Sequence, residues 1–283
     1  MAEEEKKCDD AAAAAASDDA PLRPSPAKVQ PSFTAPYGPN VHVSAHPVVS
    51  HKLSVLRSSS TSPSSFRAVL REITFHLGYE ATATLTTREV PITVPPAKKC
   101  RTNAGGGGDG NDHVEATGHK IKERVALIPI MRSGLGMVDP MLELVNDAAV
   151  HHVGMYRTKS LMPVQYYNRL PRECEVDAAY VLDPLIATSN TVMSVVGMLK
   201  KWGVAQIHVL SVIASRDGLS ELLRHHPDVR VTVGCVDGSL SEDGDVLPGL
   251  GDAGDRLYGT PTIDDEEELV HPSKRKRTMS VGE

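Results

Sequence analysis

Asp183, Pro184, Leu185, Ile186, Ala187, Thr188, Ser189, Asn190 and Thr191 form a run of small and hydroxylated residues between an apolar segment and a helical one. Hydroxyl donors, backbone amides and the positive end of a helix dipole then converge on one point, which predicts an anion site, most naturally for phosphate. An ordinary helix cap, with Thr188 or Ser189 satisfying the first turn, fits the same residues. A second segment, Arg132, Ser133, Gly134, Leu135, Gly136 and Met137, sets a guanidinium beside two glycines that permit positive φ and close backbone approach, and predicts a second anion site. Arg157 stands where another apolar segment ends. Farther along, Gly249, Gly251 and Gly254 fall within six residues, with Asp252 and Asp255 among and after them. Such a loop either presses its backbone against a flat ligand or makes a tight surface turn.

Loops of this kind need a scaffold. Apolar runs at 125–131, 152–156, 178–182, 207–213 and 229–235 read as strands, and helical patterns follow at about 135–145, 191–202 and 217–225. Strands apolar on both faces and alternating with helices predict an α/β fold, with a mostly parallel central sheet flanked by helices. Ligands in such sheets bind at the carboxyl ends of the strands, where the loops above lie. An earlier helix has Ser62 as cap, Pro63 at its first position and Phe66, Val69, Leu70, Ile73 and Leu77 at helical spacing, with Gly78 as the expected stop.

Charge excludes some partners. Of the formal net charge of −6, residues 1–40 carry seven acids against four bases and residues 261–283 six against four, which leaves −1 for 41–260. So neutral a core has no basic excess to draw it to nucleic acid or an anionic membrane, and a small ligand is expected instead. No apolar run approaches the roughly 18 residues of a membrane span. The six prolines between 21 and 39, beside a poly-alanine stretch, predict a disordered tail over 1–40, and the acidic and basic clusters beyond 260 predict another over 261–283. The KRKR run at 274–277 is either part of that solvated tail or a nuclear import signal. A domain over 41–260 remains, with a flexible glycine-rich insertion at about 95–121 in a loop or hairpin. The start of the chain resembles neither a secretory signal nor a transit peptide. Cys8, Cys100, Cys174 and Cys235 show no CxxC pair, so a reducing, cytoplasmic location without zinc or disulfides is expected. No Ser/His/Asp or Cys/His arrangement stands out, and no histidine is assigned a catalytic role; His151, His152, His225 and His226 read as surface or strand-end residues.

PGLGDAGDR at 248–256, followed by Leu257, Tyr258, Gly259 and Thr260, is the hallmark of one family, and PIMRSGLGM at 129–137 is similar to that family's PIxRAGLGM. His46-Pro47, His51-Lys52-Leu53, Leu56-Arg57, Phe66-Arg67 and Tyr79-Glu80-Ala81-Thr82 match its N-terminal region. On these residues the chain, from about 42 to 260, resembles the bacterial-type uracil phosphoribosyltransferases, which are type I phosphoribosyltransferases. The resemblance implies a small hood for the base and transfer of the phosphoribosyl group of 5-phosphoribosyl 1-diphosphate (PRPP) to uracil, giving UMP and diphosphate. It implies that Arg132, Ser133, Gly134 and Arg157 hold the diphosphate and that 183–191 hold the ribose and 5′-phosphate. Val246, Gly251, Asp252 and Ala253 would read uracil, with Asp252 also facing PRPP, and Asp183, Asp252, Arg132 and Arg157 would serve catalysis. Mg²⁺ would be bound mainly through PRPP rather than by protein ligands, GTP would be an allosteric activator as in some relatives, and the assembly would be a homo-oligomer, a dimer or tetramer.

The chain departs from the family pattern at Ser189 and Asn190, where two glycines are usual. If Ser189 takes a positive φ, strain of roughly 1–2 kcal/mol follows and weakens substrate binding about tenfold. The loop after Arg157 is one residue shorter, Met162 replaces an acid and Asp245 a tyrosine. A catalytically weak or inactive nucleotide-binding paralogue is the alternative that these departures raise, with another base as a further one.

Overall fold

A computed structural model describes residues 37–95, 114–158 and 162–260. The predicted tails, apart from 37–40, the KRKR run and the glycine run of the insertion lie outside the described residues.

The chain begins with β1 (Val41–Val43), α1 (Pro47–Arg57) and α2 (Pro63–Thr82), followed by a hairpin of β2 (Thr87–Val94) and β3 (Val114–Ile121). Next come β4 (Val125–Met131), a 3₁₀ turn (Ser133–Met137), α3 (Val138–Leu144), β5 (Ala149–Val150), β6 (Val153–Arg157) and β7 (Pro163–Asn168). Then follow β8 (Ala178–Leu182), β9 (Leu185–Ile186), α4 (Asn190–Trp202), β10 (Gln206–Ser215), α5 (Arg216–His225) and β11 (Arg230–Asp237). A short pair, β12 (Ser239–Leu240) and β13 (Val246–Leu247), and α6 (Ala253–Tyr258) complete it.

The main sheet runs β1-β11-β10-β8-β4-β6-β7, with β5 beside β4 and β9 beside β10. Every pairing in it is parallel except β6 with β7. Both faces are covered, as the two-sided apolar strands require. Along β4, Val125 and Leu127 join the core under α1, α2, α3 and α6, while Ala126, Ile128 and Ile130 join the one under α4 and α5. The mostly parallel sheet between helices is therefore the fold the alternating pattern predicts.

Some local expectations change. α2 starts as read, with the Ser62 hydroxyl accepting from Ser65 N at 3.2 Å and Pro63 in the first turn, but it passes through Gly78 to Thr82. A Cβ at Gly78 would lie 2.5 Å from Leu144 Cδ1 and 2.7 Å from Met141 Sδ, so this glycine serves close packing of α2 on α3 and not a helix stop. The expected insertion divides: 114–121 is a strand in full register with β2, from Thr87 opposite Ile121 to Val94 opposite Val114. β1, α1, β7 and α6 were not anticipated. α1 is capped by His46, whose Nδ1 accepts from Val48 N at 3.2 Å, a weak cap signal in sequence.

Inside the sheet, His208 is fully buried against Tyr180, with ring centroids 5.4 Å apart, and its Nε2 lies 2.8 Å from Thr232 Oγ1. Burial pushes its pKa down to about 3 and pushes the Tyr180 phenol up to about 12. Both are neutral packing groups.

Candidate active site

Three loops meet at the carboxyl edge of the sheet. The first leaves β8 at Asp183, which is 8% exposed; its Oδ1 accepts from Ser133 Oγ at 3.4 Å and from Leu185 N at 3.5 Å. Leu185 and Ile186, apolar residues in an otherwise polar loop, pair with Ile213 and Ala214 of β10 and so pin the loop to the sheet. Ala187 O accepts from Ser215 Oγ at 2.6 Å. Ser189 has φ 67° and is the one non-glycine residue at positive φ among the described residues. Its hydroxyl makes no bond to the first turn of α4 and donates instead to Gly218 O, in the first turn of α5. Gly218 N in turn donates to Ser215 Oγ at 2.8 Å.

These contacts exclude the simple helix cap. Neither Ser189 nor Thr188 serves the first turn of α4, and Thr188 Oγ1 is buried with no hydrogen-bond partner. An orphaned buried hydroxyl is costly unless a ligand uses it. The turn from β8 into Asn190 and Thr191 thus has the composition of an anion cradle, with a helix N-terminus behind it. The predicted positive φ at Ser189 is present, and the hydroxyl bond to Gly218 offsets its strain.

The second loop follows β4. The Met131–Arg132 peptide is cis. Gly134 and Gly136 do not take positive φ; their role is close approach, since a Cβ on Gly134 would fall 2.2 Å from Leu182 O and one on Gly136 2.8 Å from Leu257 Cδ1. This loop is therefore seated on the end of β8, next to the first. Arg132 Nη2 donates to Asp255 Oδ1 at 2.9 Å, and its side chain is about half exposed. Burial alone would raise the Asp255 pKa, but the Thr260 hydroxyl and the Arg132 guanidinium hold it below the usual carboxylate value. Arg157 ends β6 at the same edge, beside β4.

The third loop, 246–254, begins in β13 of the small β12–β13 ladder and packs against the end of α1 through Arg57. Val246 and Ala253 are buried. Leu247–Pro248 is cis, and Gly249 and Gly251 have φ of 60° and 75°. Asp252 caps α6, its Oδ1 accepting from Asp255 N at 2.7 Å. A Cβ on Gly254 would lie 3.4 Å from Arg132 Nη2, so the second and third loops touch at that point.

A cavity of about 1010 Å³ opens at the opposite, amino-terminal edge of the sheet. Its lining carries the bases Arg88, Lys120, Lys122, Arg124 and Arg172 with the acids Glu123, Asp147, Glu173 and Glu175, and includes none of the three loops. Among the described residues no cluster of three or more His, Cys, Asp or Glu could hold a metal ion, and no helix is long and apolar enough to cross a membrane. Cys174 and Cys235 are free thiols, and burial pushes Cys235 up to about 11.

The uracil phosphoribosyltransferase family profile matches residues 43–260. The chain belongs to that family. It is 44% identical over 221 residues to a protein named uracil phosphoribosyltransferase from Roseiflexus sp. (strain RS-1), covering 78% of this chain and 98% of that one. It is 38% identical over 217 residues to one of the same name from Clostridium perfringens (strain 13 / Type A), covering 76% and 96%. Among solved structures, the AQ2163 protein of Aquifex aeolicus superposes with a TM-score of 0.68 at 29% identity, over 79% of this chain and 99% of that one. For a uracil phosphoribosyltransferase family member, PIMRSGLGM and PGLGDAGDR fall on the second and third loops just described, while the N-terminal matches fall on α1 and α2. Sequence reading missed Ser215, Gly218 and Asp237, and it named Asp255, Arg57 and Arg256 only as motif residues, without their role in holding these loops. Asp237, a carboxylate at the end of an apolar strand, was the one with a signal to read.

Proposed function

We propose that this chain transfers the phosphoribosyl group of PRPP to uracil, forming UMP and diphosphate. The observation that carries the reading is the meeting of the Arg132 loop with both others: Ser133 reaches Asp183 of the phosphate loop, while the Arg132 guanidinium lies against Gly254 and pairs with Asp255 of the base loop. A substrate with phosphate at one end, diphosphate at the other and an incoming flat base needs that layout.

In this reading the amides and hydroxyls of 183–191 hold the 5′-phosphate and ribose, with Thr188 Oγ1 finding its partner there. Arg132 and Arg157 hold the diphosphate and stabilise its charge as the bond to C1′ breaks. The hood fixes uracil on the other face of the sugar, so that N1 attacks in line, and no protein nucleophile is required. Asp183, a hard oxygen donor, fits a Mg²⁺ that enters on PRPP. When bound, that ion neutralises the departing diphosphate oxygens. Asp252, committed to capping α6, orients the turn between the base and PRPP.

Purified protein with PRPP and Mg²⁺ is expected to form UMP from uracil and to reject cytosine and hypoxanthine. Binding of both substrates without UMP formation would overturn the reading. The same assay with and without GTP, and light scattering for a dimer or tetramer, test the activator and assembly implied by the family.

A further inference from the structure

Two arginines outside the substrate loops hold the base loop. Arg57, at the end of α1, donates from Nη1 to Asp237 Oδ2 at 2.8 Å and to Gly249 O at 2.7 Å, and from Nη2 to Asp237 Oδ1 at 2.7 Å. Gly249 N donates to Asp237 Oδ2 at 3.0 Å. One ion pair therefore holds both backbone polar groups of Gly249. The pair is sheltered, with Asp237 7% and Arg57 25% exposed. Burial alone would raise the Asp237 pKa, but the bonds from Arg57 and Gly249 keep it low and the carboxylate charged.

Gly249 in turn sets Val246. Its φ is 60°, and a Cβ there would lie 2.1 Å from Val246 O, so the backbone of 249 rests directly on that carbonyl. Arg256 Nη1 donates to Leu250 O at 2.7 Å and to Leu56 O, its Nη2 donates to Ser58 O at 2.6 Å, and its guanidinium lies 4.6 Å from the centre of the Phe66 ring. The carbonyls of 249 and 250 thus each end on a guanidinium, and both arginines are anchored at residues 56–58.

We propose that Arg57, Asp237 and Arg256 form a clamp that positions the base-reading loop and sets affinity and selectivity for the base without touching substrate. This rests on the uracil reading above. Uracil and cytosine differ by the exchange of a donor and an acceptor at ring positions 3 and 4. Backbone groups discriminate between them only if their peptides cannot turn over, because a peptide free to flip offers either polarity. With the carbonyls of 249 and 250 fixed on the two guanidinium groups, Val246 and 251–253 keep one polarity toward the base. The loop is also ordered before the base arrives, so binding bears less of that entropy cost.

The test is Arg57→Lys and Asp237→Asn, with Arg256→Lys as an independent probe of the same loop should the first pair fold poorly. Each keeps size while losing part of the fork. Expected are a rise in KM for uracil of about tenfold or more, KM for PRPP within about twofold of wild type, and a smaller preference for uracil over cytosine. Hydrogen exchange in the free protein is expected to quicken at 246–253 and stay unchanged at 183–191. Equal effects on both KM values, or unchanged exchange at 246–253, overturn the clamp. An inactive wild-type protein overturns the functional reading instead, and the exchange result still decides the clamp.

Discussion

Ser189 holds two opposed effects in one residue. Its left-handed backbone costs about 1–2 kcal/mol, while its buried hydroxyl bond to Gly218 O contributes about 0.5–1.5 kcal/mol. Reversion to glycine removes both, so Ser189→Gly is expected to leave KM for PRPP within about threefold of wild type. Ser189→Ala keeps the strain and loses the hydroxyl bond to Gly218 O, and is expected to raise KM for PRPP about three- to tenfold. Steady-state kinetics on the two variants separate the effects; an alanine variant equal to wild type would show that the hydroxyl does not hold the loop. The sequence exposed the strain, because serine at a glycine position is a local signal. The compensation it could not expose, because Gly218 lies 29 residues away.

At the scale of elements, the loop at 183–191 depends on a helix that carries none of its residues. The first turn of α5 accepts the Ser189 hydroxyl and, through Ser215, holds Ala187 O. A Cβ on Gly218 would fall 2.1 Å from Ala187 O and 2.8 Å from Ser215 Oγ. Gly218→Ala must therefore push α5 and the loop apart, with an overpacking cost of about 1–3 kcal/mol. KM for PRPP is expected to rise more than tenfold, with KM for uracil changing far less; a variant with ordinary PRPP affinity would mean that the loop keeps its shape without α5. Strands and helices of the parallel core were legible because their apolar runs are long and two-sided. α1 and α6 were not, since one has a weak cap and the other is a single short helix entered from a glycine-rich loop. β9 was read only as part of a polar loop, and the apolar pair Leu185 and Ile186 was its sign.

For the whole molecule, the buried His208 links stability to pH. In the unfolded chain it protonates below its ordinary value of 6.5, and in the fold only near 3. The unfolded state then binds more protons across that window, so stability falls as pH drops from 6.5 toward 3, by up to about 1.4 kcal/mol per pH unit. His208→Gln keeps a polar partner for Thr232 and does not titrate. Denaturant midpoints between pH 7 and 4 are expected to fall less steeply in this variant than in wild type, and parallel curves would rule His208 out as the source.

The sequence by itself determined the composition of the three loops, the kind of sheet that carries them and the family, because each depends on short runs: hydroxyls before a helix, glycines beside an arginine, apolar stretches of strand length. Only the tertiary structure decided which groups hold those loops in place. Arg57 and Asp237 are 180 residues apart, Arg132 and Asp255 123 apart, and both pairs meet because the crossover order of the sheet brings separate chain ends to one edge. Such meetings follow from how the strands are ordered and registered, which no local window of residues specifies.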